Sequence, residues 1–358
     1  MTDTTTNRQT PSSKRRTLSV WELPKLLQSV HHHRKTLKKP VRERPHFRAI
    51  LAFVHRNRFA VASQIQRRFA KYLKSDRTAR RHLSEMESLG YLEIVETNNT
   101  SPLWPKVYFV TRRGLAMLKQ ALHEQGREWS ESLKDRRRSE GQSAQHILHE
   151  LFITEFLLMA WETTRTQDDL EILSFQRRSL TKHEAFKVVV AGRETRLQPD
   201  GMFLYRQLGK GMMCCFVELD LGCMSLRQMA AKLRRYQMWA ESSRAATYLT
   251  HLYRNFGAVT PAVTFRLMIV VGCRNWQAED RRVQQLISVA SSGTPCFCNN
   301  IWIGTVQLLQ ESAKCAKFLN YPIWVRVRKT SASDKDLTLL SLSEIPRSAL
   351  IQSSGTKM

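Results

Sequence analysis

The chain reads as an α+β protein of two units: a small helical unit carrying a hairpin, then a larger α/β unit whose helices flank a mixed central sheet. Three observations carry that reading. Short amphipathic helices and one hairpin crowd into residues 45–122, and from Ser143 onward long apolar helices alternate with β-branched strands. Between them HEQGREWSESLKDRRRSEGQ has the composition of a linker or an exposed helix. The expected division is a basic flexible arm (1–44), the first unit (45–122), a linker (123–142), the α/β unit (143–328) and a tail (329–358).

Composition bounds the partners. The 358 residues suffice for two modest domains, and 57 Lys+Arg against 31 Asp+Glu leave a formal net charge of +26. Hydrophobic residues make up 42% of the chain, enough for ordinary cores, so the charge does not signal wholesale disorder. A basic excess of this size attracts a polyanion, and phosphate backbones are the usual one. No apolar run reaches membrane-spanning length, and MTDTTTNRQTPSSKRR lacks the apolar core of a secretory signal, so a cytoplasmic location and no membrane partner are expected.

The seven cysteines are odd in number and form no C-x-x-C pair, which points to reduced, mostly buried thiols. A zinc site from Cys296, Cys298 and Cys315 would lack a fourth ligand. His31 to His33 lie among Arg34, Lys35, Lys38 and Lys39, the setting of a solvated basic arm rather than a metal site. The amphipathic piece VWELPKLLQSV supplies that arm with one helix.

In the first unit, FRAILAFVHRN spaces Ile50, Leu51, Phe53 and Val54 as a helix, and VASQIQRRFAKYL places Ile65, Phe69 and Leu73 on one face. SDRTARRHLSEMESLG follows. Ser75 is a good N-cap, Ala79, Leu83, Met86 and Leu89 recur at helical spacing, and Gly90 ends the helix. The opposite face offers Arg77, Thr78, Arg80, Arg81 and Ser84 to solvent. YLEIV and KVYFV flank the turn-rich TNNTSPLWP as a hairpin, with Lys106 at its edge, and TRRGLAMLKQAL begins another helix. Helix, helix, basic helix, hairpin, helix is the order of a winged helix-turn-helix, which lays its third helix in the major groove and its wing against the backbone.

The second unit opens with SAQHILHELFITEFLLMAWE, an amphipathic helix with Leu148, Leu151, Phe152, Glu155, Phe156 and Met159 on one face. Glu155 is a carboxylate inside an apolar stripe; a metal, a buried base or an edge position each explain it. EILSFQRRSL, FKVVV, LQPDGMFLYR and MMCCFVELDL read as strands, SLRQMAAKLRRYQMWAE as a helix, and VTFRLMIVVG as a buried strand. AEDRRVQQLISVA is a further helix and CNNIWIGTVQLL a last strand, so the order is α-β-β-β-β-α-β-α-β.

Asp200 follows a proline, and Glu218 and Asp220 close an apolar run. That is the outline of a restriction-endonuclease-like, metal-dependent nuclease core, in which carboxylates at neighbouring strand ends hold Mg²⁺. A lysine normally completes such a site, and here Asp220 stands in its place. Glu218 and Asp220 share one strand face. Either Asp220 is a third metal ligand beside Asp200 and Glu218, or the cation's role moves to Lys232, which sits with Gln228 and Tyr236 along one side of the next helix. The catalytic candidates are Glu155, Asp200, Glu218, Asp220 and Lys232.

In order and spacing, H-x-L-x-x-T-E (His149 to Glu155), PDG (Pro199 to Gly201), E-x-D-x-G (Glu218 to Gly222) and K-x-x-x-Y (Lys232 to Tyr236), behind a winged helix, resemble the replication-relaxation family. The resemblance covers roughly Pro45 to Trp324, and departs from the family in having Cys223 where a small hydroxyl residue is common. It implies a bacterial protein of plasmids or mobile elements, acting in plasmid replication or in relaxing or mobilising plasmid DNA, with a PD-(D/E)xK-like second domain. Its partners would be double-stranded DNA and a relaxase or replication initiator.

Three readings follow. The first is a sequence-specific DNA-binding replication factor. The second is a Mg²⁺-dependent endonuclease, or nickase, using the carboxylates with Lys232. The third is a winged-helix transcriptional regulator. The absent E-x-K lysine favours binding over cleavage, and no glycine-rich phosphate loop supports a small-molecule sensor.

Overall fold

A computed structural model describes residues 30–32, 44, 46–97, 105–124, 143–177, 184–209, 211–258, 264–273, 275–294, 297, 300–313 and 324–327. The arm helix, the wing tip, the linker beyond Glu124, Cys296, Cys298, Cys315 and the tail lie outside these residues.

The first unit runs α1 (Phe47–Asn57), β2 (Ala60–Val61), α2 (Ala62–Arg68), α3 (Asp76–Ser88), β3 (Leu92–Thr97), β4 (Val107–Val110) and α4 (Arg112–Glu124). Its core is the set of apolar positions the periodicity marks, with Ile50, Leu51, Val54, Ile65, Leu73, Ala79, Leu83 and Met86 fully buried. Ser75 Oγ accepts from the Thr78 amide and caps α3, and Gly90 follows at φ 72°. The arm differs from expectation in one place. Val30–His32 form a strand, β1, that pairs antiparallel with β3, so the sheet runs β1-β3-β4-β2. Polar composition hid it, because backbone pairing to an open edge requires no apolar side chains.

The second unit is a mixed sheet between two helical layers. Its strands are β5 (Leu170–Arg177), β8 (Gly201–Gln207), β9 (Gly211–Asp220), β10 (Phe265–Val271), β11 (Ile301–Thr305) and β12 (Val325–Arg326), in spatial order β12-β11-β10-β9-β8-β5. β9, β10 and β11 are parallel, while β5, β8 and β12 join antiparallel. Side chains alternate across β9: Cys214 and Phe216 face α6 (Leu226–Ala240), α7 (Ser243–Asn255) and α8 (Trp276–Ser291), while Cys215, Val217 and Leu219 face α5 (Ala144–Thr166) and α9 (Val306–Ala313). Cys214 and Cys215 are buried free thiols, as expected, whereas Cys223 is exposed.

Three expectations need correction. Lys187–Val190 does not join the main sheet; it is β6 of a separate hairpin with β7 (Arg193–Arg196). Ala191 (φ 49°) and Gly192 (φ 77°) form the two-residue turn, whose paired positive φ values suit hairpin twist, and alanine at the first place hid it. Sequence reasoning also missed α7, although Ser242 caps it and Ala245, Leu249, Leu252 and Tyr253 bury one stripe. Finally, the last strand stops at Thr305, whose Oγ accepts from the Leu308 amide and starts α9.

The two units are packed together, not merely tethered. α5 packs on α1, α2 and β2, and Phe59, Val61, Val95 and Val107 share an apolar cluster with Ile147, Leu148, Leu151 and Phe152. Full burial of such side chains is worth about 1.5–3 kcal/mol each. Arg177, at the end of β5, crosses this seam. Its guanidinium donates to the Asn57 carbonyl (2.7 Å), Thr154 Oγ1 (3.0 Å) and the Glu150 carbonyl (3.1 Å), and pairs with the Glu150 carboxylate (3.1 Å). Among the described residues no helix is long and apolar enough to cross a membrane.

Candidate functional site

Asp200 immediately precedes β8, and Glu218 and Asp220 end β9, so the antiparallel pairing of Gly201 with Val217 brings all three carboxylates to one end of the sheet. Each is held by a different side chain. Asp200 Oδ2 accepts from His149 Nε2 (3.2 Å) on α5 and from the Leu219 amide (3.0 Å). An ionised carboxylate only accepts, so Nε2 carries the imidazole proton. Glu218, 2% exposed, accepts from Lys232 Nζ and from Tyr236 Oη (2.5 Å), both on α6. Lys232 and Tyr236 are four residues apart, one turn of helix, which is why both reach the same carboxylate. Asp220 is gripped by Arg282 Nε (2.7 Å) on α8, while its other oxygen accepts from the Gly222 amide (3.0 Å).

The two inner carboxylates are driven apart in acidity. Burial opposes ionisation of Asp200, but Lys232, His149 and the Leu219 amide outweigh it and hold its carboxyl well below the usual range. Burial, against the pull of Lys232 and with the push of Asp200, raises Glu218 to about 8. Lys232 loses some basicity to burial, yet Glu218 and Asp200 more than restore it and keep it charged. Two carboxylates around one buried ammonium thus leave one anion opposite the cation and one group that carries a proton near neutral pH.

Of the catalytic candidates, Asp200, Glu218 and Lys232 converge, and Asp220 sits beside them on its own arginine. Glu155 does not join them. It lies six residues past His149, roughly 120° away around the helix, and its carboxylate is held by Arg67 and by Gln64 Nε2 (3.2 Å) of the first unit. Its partner is an arginine across the seam. His149, Tyr236 and Arg282 are members that residue-by-residue reasoning did not assign. The first two were quoted within motifs, while Arg282 lies in a solvated-looking helix whose register alone aims it at Asp220.

On the first unit, Arg77, Arg80, Arg81 and Ser84 are exposed on α3, and Lys106 is exposed ahead of β4. Thr78 is half-buried and its hydroxyl lies 3.0 Å from Ser75 Oγ. Arg80 pairs with Asp76 one turn back. The buried stripe of α3 packs on its own core, so this basic face points outward.

A family model described as replication-relaxation matches residues 51–251, more than half of the chain. The chain belongs to the replication-relaxation family. The matched span runs from within α1 to within α7, and so contains α3, His149, Asp200, Glu218, Lys232 and Tyr236. The Asp220 partner Arg282 lies beyond it. No curated protein and no solved structure matches the chain.

Whether this replication-relaxation cluster fits Mg²⁺ is a matter of free lone pairs. A hard dication needs ionised oxygens that it can reach. Glu218 offers both oxygens to Lys232 and Tyr236 and is pushed towards its neutral form, and Asp220 offers both to Arg282 and Gly222. Among the described residues no group of three or more His, Cys, Asp or Glu is set to hold a metal ion. In this arrangement the residues do not fit Mg²⁺, and no hydrolytic step follows from it.

Proposed function

We propose that this replication-relaxation protein is a sequence-specific DNA-binding factor acting in replication or mobilisation of a plasmid or mobile element, working in the cytoplasm. The observation that carries the reading is the capped α3 with Arg77 and Arg81 projecting from its exposed face. The element order supports reading the first unit as a winged helix: α3 enters the major groove, and β3–β4 with Lys106 lies along the phosphates. The net charge of +26 supports a polyanionic partner. The restriction-endonuclease-like unit behind it then works as a rigid platform, its acid cluster neutralised from within. A relaxase or replication initiator is the partner that the family role suggests.

The test is binding of the full chain to fragments of its own replicon. Arg77→Ala with Arg81→Ala should weaken binding by about tenfold or more, since each base or phosphate contact is worth about 1–3 kcal/mol. Arg80→Ala should cost less, because Asp76 already occupies that side chain. Undiminished affinity in the double variant overturns the reading.

A second reading, a Mg²⁺-dependent nickase, draws on the convergence of Asp200, Glu218 and Lys232 at one sheet end. Supercoiled plasmid incubated with Mg²⁺ or Mn²⁺ decides it. Nicking that Glu218→Ala abolishes makes the protein an enzyme; tight binding with intact supercoils leaves it a binding factor.

A further inference from the structure

On the sheet face opposite α5, the outer side of α6, the β6–β7 hairpin and the C-terminal end of α8 enclose an open cleft of about 880 Å³. A volume of that order suits a ligand of a few rings and phosphates. Three arginines line it: Arg193 at the start of β7, and Arg234 and Arg235 on α6. Some arginines elsewhere are held by carboxylates, as Arg67 is by Glu155 and Glu162 and Arg282 is by Asp220. Arg193, Arg234 and Arg235 pair with no carboxylate among the described residues, and Arg193 and Arg234 are exposed. The one carboxylate in the lining, Glu241, is engaged by Gln237 and Thr294 at 3.1 Å each.

Guanidinium groups that line one cleft and lack anions call for phosphate, which they bind through paired N–H donors. The remaining lining mixes apolar side chains, among them Val190, Leu233, Met238 and Phe297, with the polar Thr195, Gln237, Glu241 and Ser292. A duplex keeps its bases stacked inside and meets protein mainly through phosphates and groove edges. An unpaired strand presents both phosphates and bare base faces, and wants a basic groove with apolar walls. The cleft supplies that combination. It is also remote from the reader by construction, because the first unit docks on α5, on the other side of the sheet.

We propose that the cleft between α6, α8 and the β6–β7 hairpin binds an unpaired DNA strand, with Arg193, Arg234 and Arg235 holding its phosphates. This goes beyond duplex recognition by α3 and does not depend on it. A protein holding a duplex on one face and a separated strand on the other would trap an opened segment.

The experiment uses the full chain and a fluorescent oligothymidylate of about twelve nucleotides, a length within single-strand site sizes. Arg193→Glu with Arg234→Glu should weaken its binding by about tenfold or more, since phosphate contacts dominate such affinity. Both side chains are exposed, so the fold should survive, which a thermal melt checks. Duplex binding should change by less than about threefold, because its contacts lie on α3. A charge-matched control, Arg254→Glu with Arg281→Glu on the exposed faces of α7 and α8, should leave oligothymidylate binding near wild type. Equal loss in that control, or no loss in the cleft variant, overturns the proposal. Displacement of the oligonucleotide by dTMP at equal nucleotide concentration also overturns it, in favour of a mononucleotide pocket. Failure of the Arg77 and Arg81 test would leave this result untouched, so the two are separable.

Discussion

Arg177 is 5% exposed, yet it touches an α1 carbonyl, an α5 hydroxyl and the nearly buried Glu150. Glu150 also receives Arg58 (3.5 Å), whose backbone holds φ 66° just past α1. Removing one partner of a buried pair costs about 3–5 kcal/mol when the other charge is left stranded, and Arg58 remaining on Glu150 puts this pair at the lower end. Arg177→Met should therefore lower unfolding stability by that order in a denaturant titration. Arg177→Lys should recover only part of it, because one compact ammonium lacks the spread of the two guanidinium nitrogens that reach Asn57, Thr154 and Glu150. A second residue-scale prediction concerns pH. His46 Nε2 and His82 Nδ1 lie 2.8 Å apart beside Arg44, Arg81 and Glu85, and the buried Nε2 of His82 has no hydrogen-bond partner among the described residues. Burial first, then the nearby arginines, lowers both imidazoles below their ordinary 6.5. Bases depressed in the folded state contribute stability that is full above the unfolded value of 6.5 and fades as pH falls beneath it. Melting temperature should drop as pH falls below 6.5, and His82→Gln should flatten that drop; an unchanged slope refutes the assignment.

At the level of elements, α4 rests on the β3–β4 hairpin through Gly114. A Cβ there would collide with the Tyr91 carbonyl and the Val110 side chain. The backbone on both sides is tied, since Thr111 Oγ1 accepts from the Gly114 amide (3.1 Å) and donates to the Gly90 carbonyl (2.5 Å). Gly114→Ala should cost about 1–3 kcal/mol, the usual scale of overpacking, read as a lower melting temperature with any base specificity of α3 retained. The elements that were legible in the sequence are those with local causes. α1 has its bounds written in FRAILAFVHRN, and α3 has its cap, stripe and glycine stop. β1, β7 and α9 were not legible. β1 is selected by a free sheet edge, β7 by a turn with alanine at an unusual φ, and α9 by a threonine hydroxyl inside a run that also suits a strand.

For the whole molecule, charge and the seam between units decide behaviour. With a net charge of +26, affinity for DNA should fall steeply with salt. A protein making about six phosphate contacts loses about a thousandfold between about 50 and 200 mM salt. A nearly flat salt response would refute phosphate-dominated recognition. The apolar cluster joining the units adds to this. Because Val95 and Val107 of the hairpin share a core with α5, the first unit keeps a fixed orientation to the sheet.

The sequence by itself determined the two-unit order, the outward basic face of α3, the family and the carboxylates at the strand ends, since each depends on residue type and short-range spacing. Only the tertiary structure decided which cation meets which carboxylate. Lys232 and Arg282 reach Glu218 and Asp220 across the sheet face, while Glu155 turns to Arg67 across the seam. Those choices follow from helix register and strand pairing over tens of residues, which no local pattern encodes.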